Sequence, residues 1–174
     1  MKYIALLRGI NVGGNKRVEM KQLKALFESL GYVNVSTYIN SGNITFEAKS
    51  KQQDIRKKIE LNLKKEFGFD VPALIKTENE MTKIAKAIPK NWQNNSTQRS
   101  DVAFLFDEID YPKIIDELPV NRKYVDVRYM KGAVFWNLDR INYNKSRLNK
   151  LIGSRVYRFM TMRNVNTARF LAGN

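Results

Sequence analysis

Apolar residues recur along this chain in two periods, and the changes between them outline the elements. Tyr3 to Leu7 is a short apolar run with the length of a buried strand. Met20, Leu23, Phe27 and Leu30 return at helical spacing, and Gly31 stands where a helix C-terminal glycine belongs. Val33, Val35, Thr37 and Ile39 then alternate with their neighbours, the period of a half-buried strand. Residues 40–43 (NSGN) supply turn chemistry, and Ile44 and Phe46 begin a return strand. Ile55, Ile59, Leu63 and Phe67 lie four apart, which predicts an amphipathic helix over 54–67. Its outer face carries Arg56, Lys57, Lys58, Lys64 and Lys65. Val71 to Thr77 reads as a strand, and Pro72 suits it to an edge. A short helix over roughly 78–88 follows.

Strand, helix, strand, strand, helix, strand is the split βαβ arrangement. The polar stretch 89–100 (PKNWQNNSTQRS) reads as a linker. Beyond it the pattern nearly repeats. Val102 to Phe106 is an apolar strand, and 110–118 opens a helix with an aspartate cap and an early proline. Val125, Val127 and Tyr129 alternate toward Lys131-Gly132, and Val134, Trp136 and Leu138 alternate back, a hairpin. Residues 146–153 read as a capped helix ending at glycine, and Asn166 or Thr167 as the cap of a final one. The expectation is an α+β chain of two ferredoxin-like (βαββαβ-type) subdomains in tandem, 1–88 and 101–174, joined by 89–100.

Composition narrows the chemistry. The 174 residues include no cysteine and no histidine. The commonest general base, the thiolate nucleophile and the usual zinc ligands are therefore missing. The N-terminus does not read as a signal peptide, because Arg8 interrupts its apolar core. No run approaches the ~18 apolar residues of a membrane span. A cytoplasmic protein without membrane contact is expected, with no metal and no cofactor assigned.

Charge changes the picture further. There are 31 basic against 17 acidic residues, a net charge of +14. From Arg140 onward the chain holds eight basic residues and no acidic one, whereas 101–120 holds six acids and one lysine. Such unevenness favours a polyanion or a phosphate ligand; a basic background that aids solubility explains the same count.

The stretch LLRGINVGGNKR (6–17) couples an apolar strand to a glycine-rich, basic, acid-free loop. Its G-x-x-x-x-G spacing from Gly9 to Gly14 resembles a nucleoside-triphosphate loop, but Asn15 precedes Lys16 and Arg17 replaces the hydroxyl residue, so that match fails. A looser anion site remains open, in which glycine amides approach a phosphate beside Arg8 and Lys16. Glu19 at the next helix start counts against it, and Gly13-Gly14 as a plain reversal is the other reading. Near the C-terminus, Arg163 stands just before the last helix, placed either to share an anion with backbone amides or to finish a capped element of the core. Tyr3 and Phe46 occupy the places of base-stacking aromatics in RNA-recognition modules, or pack in the core. Asp107 to Asp110 (DEID) offers carboxylates to magnesium, or ends a strand and caps a helix.

Four motifs carry a resemblance: ALLRGINVGG (5–14), TYINSGNITF (37–46), FGFDVPALIKT (67–77) and RNVNT (163–167). Together they resemble the bacterial family catalogued as domain-of-unknown-function family 1697, in order and spacing over essentially the whole chain. The chain departs from it at Glu19, where proline is common, and at Val165, where tryptophan is common. The resemblance implies two ferredoxin-like subdomains and no established activity or catalytic residue.

The combined expectation is a protein that binds a nucleic acid or a phosphorylated anionic ligand. Its ligand-binding residues are Arg8, Gly9, Asn11, Gly13, Gly14, Lys16, Arg17, Tyr38, Ser41, Asn43, Arg163 and Asn164. The alternative is a small-molecule enzyme acting on a phosphorylated or nucleotide-like substrate, with Arg8, Lys16 and Arg163 as clamps. The sequence fixes neither a catalytic residue nor an oligomeric state.

Overall fold

A computed structural model describes residues 1–173; Asn174, the last residue of the expected second subdomain, lies outside them. The chain divides into two compact units, the first Met1–Asn79 and the second from Glu80 onward.

In the first unit the strands are β1 (Lys2–Leu7), β2 (Val33–Tyr38), β3 (Asn43–Glu47) and β4 (Ala73–Thr77), in spatial order β2-β3-β1-β4 with every neighbour antiparallel. The helices α1 (Met20–Ser29) and α2 (Gln52–Phe67) cover one face. Tyr3, Ala5 and Leu7 alternate into a core with Leu23, Phe27, Ile55, Ile59 and Leu63. Ile4 and Leu6 point to the opposite face and are also fully buried, which is why the first strand reads as a continuous apolar run. Helix α2 ends at Gly68, whose φ of 79° provides the left-handed cap. Pro72 directly precedes edge strand β4, where its missing N–H costs no ladder bond.

Helix α3 (Glu78–Ala87) follows β4 without a loop, and the boundary between the units falls in its first turn. The linker expected over 89–100 is instead part of the second unit. Strand β5 (Gln98–Leu105) already includes Ser100, which is fully buried. The polar residues before it serve as local acceptors and donors: Asn95 Oδ1 accepts from the Thr97 and Gln98 amides (2.9 and 2.8 Å), and Ser100 Oγ donates to the Gln93 carbonyl (2.7 Å). Trp92 is buried edge-on to Phe135.

The second unit repeats the strand order. Strands β6 (Asp126–Met130), β7 (Ala133–Asp139) and β8 (Met160–Asn164) join β5 in the order β6-β7-β5-β8, again antiparallel throughout. The α+β fold of two tandem subdomains is therefore present, but the helices differ. The helix expected over 110–118 is a 3₁₀ turn at 107–109 and one turn of α-helix, α4 (Ile114–Glu117). The helix expected over 146–153 is absent as such. One α-turn, α5 (Tyr143–Ser146), stops at Arg147, whose φ is +62°, and 3₁₀ turns over 148–150 and 155–159 complete the connection. A serine cap and a closing glycine supplied the helical signal, yet Leu148, Leu151 and Val156 reach the core from these turns. The final helix α6 (Val165–Leu171) starts earlier than expected, because Asn164 is its cap: its side chain accepts from the Thr167 amide at 2.9 Å.

Candidate functional site

The first unit gathers ten of the twelve sequence-predicted residues at one end of its sheet. Strand β1 runs out there, opposite the start of β3 (Leu6 pairs with Asn43) and of β4 (Leu7 pairs with Ala73). Three loops therefore meet: 8–18, the β2–β3 turn, and 68–72. The 8–18 loop bends back on itself. The Asn11 amide donates to the Lys16 carbonyl (3.1 Å) and the Asn15 amide to the Val12 carbonyl (3.2 Å). Gly13 and Gly14 thus form a two-residue turn with φ of 61° and 77°, the all-positive geometry of a type I′ hairpin turn. That is the chemical reason for the glycine pair, and it favours the turn reading of the motif.

Asn11 and Lys16, which flank this turn, also adopt left-handed backbone, at φ of 53° and 48°. Asn11 is a brace. Its Oδ1 accepts from the Val18 amide (2.8 Å), and its Nδ2 donates to the carbonyls of Val18 (2.9 Å) and Asn40 (3.0 Å). One side chain therefore ties the loop to itself and to the β2–β3 turn. Lys16 donates to the Asp70 carbonyl (3.0 Å) and lies over the Phe69 ring. Arg17 is exposed, and Arg8 is half-buried with its amide on the Pro72 carbonyl.

The β2–β3 turn is as tightly determined. Asn43 is fully buried, and its Nδ2 donates to the Tyr38 carbonyl (3.0 Å) and to Ser41 Oγ (2.9 Å). Tyr38, Ser41 and Asn43 thus serve this turn. Gly42 has φ of 73°, and a β-carbon there would come within 2.7 Å of Leu7 Cβ. Ile39 holds φ of 49° although β-branched, a region such residues rarely enter.

The other two predicted residues, Arg163 and Asn164, close β8 in the second unit. They leave the strand by opposite faces. Asn164 pairs across from Asp101, whereas Arg163 pairs with Val102, which alternates away from the core residues Ala103 and Leu105. The Arg163 side chain is buried and donates to Thr161 Oγ1 (3.0 Å) and the Met162 carbonyl (2.7 Å). Burial alone pushes its guanidinium down to about 10.

Sequence reasoning missed a polar recess of about 330 Å³ at the Asn164 side, walled by Asn94, Arg99, Asp101, Arg140, Met162 and Arg163 as well as Asn164 itself. Arg99 Nε donates to Asp101 Oδ2 at 2.8 Å, and its guanidinium sits 4.9 Å from the centre of the Tyr143 ring. Burial lowers the Arg99 pKa, but the hydrogen bond and charge of Asp101 outweigh it and the net shift is upward. Arg140 donates to the Asn95 carbonyl (2.6 Å) and to Asn94 Oδ1 (3.0 Å). The clue in the sequence was the cluster of side chains in 93–101 that can bond to backbone, which read instead as linker composition.

Two other candidates resolve differently. Tyr3 and Phe46 stack on each other at 5.9 Å within the core, so they offer no face to a base. Asp110, from the acidic DEID stretch, accepts from the Gly132 amide (2.8 Å) and from Tyr129 Oη (3.0 Å). Among the described residues no cluster of three metal-ligating side chains forms, and no helix is long and apolar enough to cross a membrane.

Over nearly its whole length the chain is similar to the solved structure of the conserved bacterial protein SP0830 from Streptococcus pneumoniae. The TM-score is 0.85 at 26% sequence identity, and 99% of this chain and 97% of that one are covered. Among curated proteins none matches. The model of the family described as "Protein of unknown function (DUF1697)" matches residues 1–136, most of the chain, and the protein belongs to that family.

Proposed function

We propose that this protein binds a phosphate-bearing anion, a phosphorylated small molecule or a nucleic-acid backbone, at the three-loop end of its first sheet. The observation that supports this reading is local backbone cost at a cationic place. Asn11, Lys16 and Ile39 all sit in left-handed conformations, roughly 1 kcal/mol or more each for non-glycine residues. Such cost persists where a surrounding structure over-determines it, and here the Asn11 side chain does so. The loop it holds carries Arg8, Lys16 and Arg17, and no acidic residue occurs before Glu19. Exposed glycine amides at a turn tip beside guanidinium groups suit phosphate oxygens.

The test is titration of the full chain with inorganic phosphate, pyrophosphate and a short RNA. Arg17→Gln removes an exposed charge and should weaken binding of whichever probe binds by several-fold, with the melting temperature unchanged. Replacing Gly13 and Gly14 by alanine should weaken binding with the fold retained. Absence of binding by the wild type, or full affinity in Arg17→Gln, would remove this reading. Unfolding of the double glycine variant would reduce the motif to an obligatory turn.

A further inference from the structure

We infer that the recess beside Asn164 in the second unit is a separate binding site for the phosphate group of a small hydrophilic molecule. Hydrogen-bond accounting carries the argument. Asn164 Oδ1 is occupied by the Thr167 amide, so the side-chain nitrogen of Asn164 is left as the outward donor. Asn94 Oδ1 accepts from Arg140, which leaves its side-chain nitrogen as a further donor. Among the described residues neither nitrogen has an acceptor. Arg99 and Arg140 each keep donors beyond those already bonded, since a guanidinium has five.

Side-chain acceptors are few in the same space. Among the described residues Asp101 is the only carboxylate in the wall, and its Oδ2 is bonded to Arg99. With Arg99 and Asp101 compensating each other, Arg140 leaves the recess net positive, and Arg163 along its border has the same sign. A recess whose side-chain donors outnumber its acceptors, and whose net charge is positive, is complementary to an oxyanion. Arg163 borders the recess, but its guanidinium is turned to the other face of β8, where it donates to Thr161 Oγ1 and the Met162 carbonyl.

The lining also selects what the phosphate is attached to. Met162 is the only apolar side chain in the wall, and the Tyr143 ring is covered by the Arg99 guanidinium. No free aromatic face is offered for a base to stack on, so a nucleotide or nucleic acid gains nothing there beyond its phosphate. A volume of about 330 Å³ suits a phosphate on a short polar carbon skeleton.

Isothermal titration of the full chain with inorganic phosphate, glycerol 3-phosphate and AMP tests this. Binding of glycerol 3-phosphate is expected, with AMP no tighter. Asn164→Asp is the decisive variant, because aspartate caps a helix as well as asparagine does while turning a donor into an anion. It should weaken glycerol 3-phosphate roughly tenfold or more with the melting temperature held. Arg140→Gln, on an exposed side chain, should weaken it comparably and covers the case of a variant that does not fold. These titrations are run in an Arg17→Gln background, in which the loop site of the first unit is weakened, so that the binding read is that of the recess. Undiminished affinity in Asn164→Asp and Arg140→Gln, tighter binding of AMP than of glycerol 3-phosphate, or no binding by the wild type would each overturn the inference.

Discussion

Tyr32 and Tyr129 carry the same hydroxyl into opposite circumstances. Tyr32 is buried among Phe27 and Phe46, and its Oη has no hydrogen-bond partner among the described residues. A buried hydroxyl without a partner costs more than its removal, so Tyr32→Phe should be neutral or stabilise by about 1 kcal/mol. Tyr129 donates to Asp110, and burial, that bond and the nearby carboxylate push its pKa up to about 12. The folded state therefore keeps a proton that the unfolded chain releases near pH 10. The sign follows: this contribution is complete below pH 10 and is lost as the pH rises toward about 12. Tyr129→Phe should cost roughly 1 kcal/mol at neutral pH and lose less stability than the wild type on the alkaline side. Urea denaturation of both variants at neutral and alkaline pH checks the pair. An alkaline loss in Tyr129→Phe as steep as in the wild type would contradict the assignment.

At the scale of elements, the turns of the first unit separate two uses of glycine. Gly13 and Gly14 face open space, so alanine there costs only the left-handed backbone, about 1 kcal/mol at each site. Gly42 combines φ of 73° with atoms of Leu7 and Ile10 at 2.7 and 2.8 Å from a would-be β-carbon. Gly42→Ala should cost about 2–4 kcal/mol, as backbone strain and overpacking add. Chemical denaturation of the single variants reads the difference directly; equal losses at Gly13 and Gly42 would refute it. These turns also mark how far the sequence could be read. The strands, α1, α2 and both hairpins were legible because one period holds along each and the glycines punctuate them. The second unit's connections were not, because the serine and glycine of 146–153 look like the two ends of a helix, while Leu148, Leu151 and Val156 enter the core from short turns. The site was legible where it is local, in residues 8–17. The Asn164 recess was not, since its walls come from segments 94–101, 140 and 162–164, brought together only by β5 pairing with β7 and β8. Face was equally invisible: adjacent Arg163 and Asn164 look like partners in the sequence and leave β8 on opposite sides.

At the scale of the molecule, the charge of +14 is a field rather than a site. Whether the acid-free segment after Arg140 adds specific contacts is a question of salt dependence. Arg155 is paired with Glu117 at 2.6 Å and Arg163 is buried, so Arg147, Lys150 and Arg158 are its informative cations. If all three touch phosphate, replacing them by glutamine should flatten the dependence of log affinity for a DNA duplex on log salt by up to about three units. The control replaces Lys51, Lys57 and Lys65, exposed around α2. Equal slopes in the two triple variants would leave only the general field. The shared strand order has a further bearing, on synthesis. A nascent chain emerges N-terminus first, yet β1, which precedes the other strands of its sheet, lies inside that sheet between β3 and β4. Until Thr77 has left the ribosome, one side of that apolar strand has no neighbour, and its open edge is a template for pairing with other chains. Strand β5 waits in the same way for β8. Each unit thus passes through a stage during translation in which a strand destined for the interior of its sheet has an open edge.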